Sequence, residues 1–116
     1  MDSAELVESM RRLSTERREA QKWLEEEGRK EADHEMAYRK ARALAWTKME
    51  GTAKQREDQV DADTALQRYA RDLAQQMVRA ALEKVRGVRQ EMSMFQTFMA
   101  VQRAEAELAR FDEGTP

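Results

Sequence analysis

Glu50-Gly51-Thr52-Ala53-Lys54-Gln55 is the clearest break in this chain. Gly51 suits the left-handed position that closes a helix C-terminus. Thr52 suits an N-cap, and Gln55, three residues on, completes a capping box. One helix is therefore expected to end near Met49 and another to begin at Ala53, with a turn over residues 50–52.

Upstream of the break, Asp2 and Glu5 have the spacing of a second capping box, so the first helix should start near Ser3. A 4-3 seam runs from there through Leu6, Met10, Leu13, Arg17, Ala20 and Leu24. It continues through Glu27, Glu31, His34, Tyr38, Ala41 and Ala45. Its phase never breaks, although its middle is polar, and constant phase favours one helix over residues 3–49. Gly28 marks a place to bend rather than a stop.

Downstream, the seam is read as Leu66, Tyr69/Ala70, Leu73, Met77, Ala80/Ala81, Val88, Met92, Phe95 and Phe98/Met99, on one helix over residues 53–110. Gly87 does not shift this phase. Residues 112–116 read as a frayed tail.

Composition agrees with two long helices. The chain has 116 residues, and Pro occurs only at position 116. Strong helix formers dominate and β-branched residues are scattered. A short turn between long helices makes an antiparallel hairpin. The expected fold is a single all-α, coiled-coil-like domain with arms of roughly 70 and 85 Å. Residues paired across the turn should have numbers summing to roughly 102. Tyr38 then lies near residue 64, Leu24 near 78 and Leu13 near 89. The longer second arm should overhang, carrying Met99, Val101, Leu108 and Phe111.

Several function classes are disfavoured. There is no Cys, so neither a disulfide nor a cysteine-bound metal is available. No apolar run is long enough to cross a bilayer, and no apolar signal segment follows Met1. The expected location is the cytoplasm. The 21 Lys+Arg balance 23 Asp+Glu, which disfavours direct nucleic-acid binding. No phosphate loop, dinucleotide fingerprint, nucleophile elbow or HExxH is present, so no enzyme activity and no cofactor are expected.

Glu31 and His34 have the Glu-x-x-His spacing of di-metal helix bundles, and a dimer would bring two copies together. The facing stretch, with Gln67, Arg68 and Asp72, offers no Glu. A polar seam segment in which His34 meets Arg68 or Asp72 is the preferred reading, and no metal site is assigned. Glu91-Met92-Ser93-Met94-Phe95 loosely resembles the peptide that docks on bacterial sliding clamps. That peptide binds extended, whereas here the seam claims Met92 and Phe95.

The basic clusters of the first arm alternate with acids at helical spacing, as in Glu8/Arg12 and Glu35/Arg39, and read as a solvated face. Arg79, Arg86 and Arg89 form a less compensated stripe on the second arm. Between Met77 and Val101 the apolar surface is too wide for a single neighbour. A homodimer, or docking onto another protein, would cover it. The expected contact surface has Arg79, Arg86 and Arg89 as its electrostatic complement. Its apolar anchors are Met94, Phe98, Met99, Val101 and Leu108, presented at helical spacing.

The run Ala37-Tyr38-Arg39-Lys40-Ala41-Arg42-Ala43-Leu44-Ala45-Trp46 is followed by Glu50-Gly51-Thr52 and Arg56. A second run, Val85-Arg86-Gly87-Val88-Arg89-Gln90-Glu91-Met92-Ser93, is followed by Gln96. Together these resemble small helical proteins of tailed bacteriophages and prophages, chiefly of actinobacterial hosts, over roughly residues 36–108. Genes of that group often sit near recombination and replication genes. The resemblance implies a role close to DNA metabolism and carries over no catalytic residue. The expected function is a non-enzymatic phage interaction protein that modulates or inhibits a replication, recombination or host-defence protein. A virion-assembly scaffold or chaperone is the alternative. A secreted WXG-type hairpin fits less well, because Trp46-Thr47-Lys48 lacks the Trp-x-Gly turn.

Overall fold

A computed structural model describes residues 2–114, with side chains over residues 2–112. Helix α1 spans Ser3–Lys48, α2 spans Ala53–Asp63 and α3 spans Ala65–Gly114. The fold is an all-α helical hairpin whose second arm is α2 followed by α3.

The caps form as the sequence dictates. The Glu5 N–H donates to Asp2 Oδ1 at 2.8 Å, and the Asp2 N–H donates to Glu5 Oε2 at 3.2 Å. At the turn, Gly51 has φ +113°, a conformation few L-residues adopt. The Gln55 N–H donates to Thr52 Oγ1 at 3.2 Å, and the Thr52 N–H donates to Gln55 Oε1 at 3.1 Å. Both halves of the capping box are therefore present, satisfying N–H groups that the start of α2 would otherwise leave open.

The second arm departs from expectation in three ways. First, it is not one uninterrupted helix over residues 53–110. Thr64 leaves helical geometry (φ −106°, ψ 13°), and its buried hydroxyl donates to Val60 O at 2.7 Å. The Thr64 N–H also donates to Val60 O, at 3.0 Å. A threonine hydroxyl on the carbonyl four residues back bends helices. The Arg68 N–H still donates to Thr64 O at 3.0 Å, so helical bonding resumes at once.

Second, residues 112–114 continue α3 instead of fraying. No helix breaker intervenes before Gly114. Thr115 and Pro116, the rest of the expected tail, lie outside the described residues.

Third, the inner row of the second arm is displaced by one position over its first half. Val60, Thr64, Ala74, Ala81, Val85 and Val88 are buried, and Gln67, Arg71, Val78, Met92, Phe95, Met99 and Gln102 are half-buried. These thirteen positions alternate 4-3 without a break, which is the coiled-coil repeat. Leu66, Tyr69, Leu73 and Met77, expected in the seam, are exposed. Side-chain size explains the difference. The inner positions of this stretch are small or polar, so larger apolar neighbours on another face dominate the sequence signal.

On the first arm, Leu6, Leu13, Ala20, Glu27 and Ala45 are buried. Met10, Leu24, Glu31, Tyr38 and Ala41 are half-buried, whereas Arg17 and His34 are exposed. Antiparallel 4-3 seams interleave only in certain registers. Leu6 lines one groove with Met99, close to one turn beyond the expected pairing. Met99 and Val101 are therefore not in the overhang, which begins after about residue 103 and retains Leu108 and Phe111.

The chain divides into two compact units, Met1–Gln21 with Glu83–Pro116, and Lys22–Leu82. The second contains the turn and most of the polar contacts. Arg42 Nη1 bonds Asp61 Oδ1 at 2.6 Å, and this hydrogen bond raises the Arg42 pKa above its ordinary value. Arg56 Nη2 donates to the Trp46 carbonyl at 3.0 Å, and its guanidinium lies 5.2 Å from the Trp46 ring centroid. Arg71 bonds Asp72 at 2.9 Å, approaches Glu35 at 3.7 Å and stacks 4.4 Å from the Tyr38 ring centroid. The Asp72 bond is the main reason the Arg71 pKa is raised. Tyr38, expected near residue 64, meets Arg71 through its ring. The same guanidinium occupies the level where His34 was expected to find Arg68 or Asp72. Glu27 is buried, with Lys30 Nζ at 3.4 Å from its carboxylate.

Among the described residues, the buried ones of the first unit are all apolar: Leu6, Leu13, Ala20, Val85 and Val88. Ser3, Leu6 and Val7 line an open groove with Met99, Gln102, Arg103 and Ala106. A second groove places Met99 beside Val7, Met10 and Ser14.

Candidate interaction surface

Helix α3 carries two apolar rows. The inner row faces α1. The outer row lies roughly a third of the way around the helix and also alternates 4-3. In the second unit the outer row is Leu66, Ala70, Leu73, Met77 and Ala80. Leu66 is 81% exposed, and Tyr69, beside the row, is 68% exposed. In the first unit the outer row is Lys84, Gly87, Glu91, Met94, Phe98, Val101, Glu105 and Leu108. Met94 is 66% exposed, Phe98 45%, Val101 50% and Leu108 65%.

Singly exposed apolar residues need no explanation, but a periodic row of them does. The row in the first unit has relief. Met94, Thr97, Phe98 and Val101, with Ser93, line a shallow hollow. The first four stand at i, i+3, i+4 and i+7, the four corners of the hole that receives a knob from a packed helix. Thr97 Oγ1 donates to Ser93 O at 3.0 Å, which uses its one side-chain proton within its own helix. The hollow suits the side chain of another helix far better than a small molecule, because it is open and has almost no polar lining.

Gly87 belongs to this row. Among the described residues, nothing lies within 4 Å of the position a Cβ would occupy there. The chain's own packing therefore gives no reason for glycine in mid-helix, where it costs about 1 kcal/mol relative to Ala.

The chain matches no known protein-family model, no curated protein and no solved structure.

The predicted contact residues divide into three groups. Met94, Phe98, Val101 and Leu108 share the exposed row. Met99 turns the other way, half-buried on the inner row beside Val7 and Met10. Arg79, Arg86 and Arg89 are all exposed, Arg79 in the second unit and the other two in the first. Arg86 is not bare: its guanidinium lies 3.3 Å from Glu83 Oε1, in a pair with both side chains mostly in solvent. Such a pair is weak and opens readily to a competing carboxylate.

Sequence reading did not separate out the outer-row residues in the second unit, Leu66, Leu73 and Met77, because it assigned them to the core. The usable signal was the break in spacing from Met77 to Val88 in the expected seam, bridged without fault by Val78, Ala81 and Val85. Among the described residues, no three His, Cys, Asp or Glu side chains are grouped to hold a metal ion. Glu31 is half-buried and His34 exposed. No helix among the described residues is long and apolar enough to cross a membrane.

Proposed function

We propose that this chain is a non-enzymatic interaction protein that binds another protein through the outer face of α3 in its first unit. The exposed row Met94, Phe98, Val101 and Leu108, with its four-cornered hollow, carries this reading. A helix with one apolar row needs one neighbour, and this helix has two rows and one neighbour in its own chain. Helix-in-groove recognition uses anchors at such spacing.

The partner class follows from the resemblance to phage proteins encoded near recombination and replication genes. In this reading the chain acts in the cytoplasm of a bacterial host, modulating or inhibiting a replication, recombination or host-defence protein. Arg86 and Arg89 supply the electrostatic complement to an acidic partner.

The test is affinity capture from host lysate followed by mass spectrometry. Wild type, Val101→Glu, and Arg86→Glu/Arg89→Glu are compared, each with helix content checked by circular dichroism. Capture of a DNA-metabolism protein by wild type, lost in both variants, is the expected result. Capture unaffected by either variant removes the surface assignment. Recovery of capsid or tail subunits instead moves the function to virion assembly.

A further inference from the structure

The outer row of the first unit is self-complementary, and we propose that its occupant is a second copy of this chain, paired antiparallel along residues 84–108. The inference rests on reading this face as a helix-docking surface: a second copy covers it until a protein partner displaces that copy.

The spacing fixes the kind of occupant. A 4-3 row with i, i+3, i+4, i+7 holes accepts a helix lying nearly parallel or antiparallel to α3. The charges within the row fix the direction. Read along the helix they are Lys84, Glu91 and Glu105, with Met94, Phe98 and Val101 between the two acids. A parallel, in-register pair stacks Lys84 on Lys84, Glu91 on Glu91 and Glu105 on Glu105. Like charges at facing positions disfavour that arrangement.

An antiparallel pair centred between Met94 and Phe98 removes all three conflicts. Lys84 of each copy then lies within a turn of Glu105 of the other. Met94 of each copy faces the hollow formed by Met94, Thr97, Phe98 and Val101 of the other, so one chain supplies both knob and hole. The two Glu91 carboxylates stand well apart, on either side of the centre. Gly87 comes level with Glu105 of the other copy. The open space at Gly87 leaves room for that longer side chain to reach across to Lys84. Sliding the pair one heptad toward the N-terminus brings the two Glu91 together at its centre. Sliding it the other way takes Lys84 out of reach of Glu105. One register satisfies charge and shape together.

Sedimentation equilibrium tests the pairing at concentrations from roughly 1 to 100 μM, a range that reads weak helical interfaces. Wild type is expected to dimerise within it. Met94→Glu and Phe98→Glu place a carboxylate in the apolar centre and should weaken dimerisation at least about tenfold. Both residues are exposed in the single chain, so circular dichroism should show unchanged helix content. Lys84→Glu alone should weaken the pair about fivefold, and Lys84→Glu/Glu105→Lys should restore it to within about twofold.

Direction is read separately. The chain has no native cysteine, so Arg110→Cys takes a single spin label. Two labels should lie roughly 40 Å apart along the axis in the antiparallel pair, and side by side in a parallel one. A wild type that stays monomeric, a short label distance, or a double charge swap that fails to restore dimerisation overturns the proposal. A monomer that still captures a DNA-metabolism protein through Val101 overturns the pairing and leaves the proposed function standing. A dimer that captures none supports the pairing and removes that function.

Discussion

Replacing Gly51 and Gly87 by alanine, one at a time, should change stability in opposite directions. Gly51 sits at φ +113°, and an added Cβ would lie 2.6 Å from Gln55 Oε1. That oxygen accepts the Thr52 N–H in the capping box. Backbone strain for an L-residue at such φ costs about 1–2 kcal/mol. Displacing Gln55 forfeits one capping hydrogen bond, about 1 kcal/mol. Gly51→Ala should therefore destabilise the hairpin by about 2–3 kcal/mol. Gly87 is helical with nothing within 4 Å of its added Cβ, so the helix-propensity gain of about 1 kcal/mol should appear as stabilisation. Urea unfolding followed by circular dichroism measures both. It should be run at the lowest workable protein concentration, so that self-association does not enter. With a urea slope of about 1.5 kcal/mol/M, the Gly51→Ala midpoint should fall by about 1.5 M and the Gly87→Ala midpoint should rise by about 0.7 M. Unfolding of Gly51→Ala at the wild-type midpoint would refute the argument from the turn. A destabilised Gly87→Ala would show that something in the chain does approach that position.

Five further substitutions test the inner seam against the exposed row. Leu13 is fully buried, so Leu13→Ala should cost about 2–4 kcal/mol, whereas Leu66→Glu on the exposed row should stay within about 0.5 kcal/mol, both by urea melt. Arg71→Ala, which removes the contacts to Asp72, Glu35 and the Tyr38 ring, should cost about 1 kcal/mol; Arg71→Lys should recover only part, because ammonium cannot stack as guanidinium does. Glu27→Leu should be neutral or stabilising, since a buried carboxylate is replaced by an apolar side chain of similar volume. A loss of more than about 2 kcal/mol in that variant would assign Glu27 a stabilising contact beyond Lys30.

The turn and the first arm were legible because each rests on local chemistry. Asp2/Glu5 and Thr52/Gln55 announce their caps through residue type and spacing, and Gly51 announces positive φ. The Leu6–Ala45 row needed only a constant phase. The second arm was harder, for a reason visible at Gln67, Arg71 and Ala74. These inner residues are less apolar or smaller than Leu66, Leu73 and Met77 one position away. A hydrophobicity pattern therefore selects the outer face; the register, read from the centre of the turn, differs by most of a turn where Leu6 shares a groove with Met99. Thr64 was not readable as a bend, because its effect depends on burial of the hydroxyl against Val60 O. Of the candidate surface, Met94, Phe98, Val101 and Leu108 could be named from breadth of apolar surface alone. The opposite orientation of Met99 depended on the register.

The two rows of α3 have a bearing on how this sequence tolerates change in length. One residue added between Thr52 and Ala65 would rotate everything after it by about 100°. In most amphipathic helices such an insertion swings a charged face into the interior. Over the second unit it would carry Leu66, Leu73 and Met77 to the inner side and send the smaller residues outward. The insertion would thus exchange one apolar contact face for another, bulkier one. A frame slip in this segment is expected to keep an apolar inner row in the second unit, and to turn Lys84, Glu91 and Glu105 inward in the first.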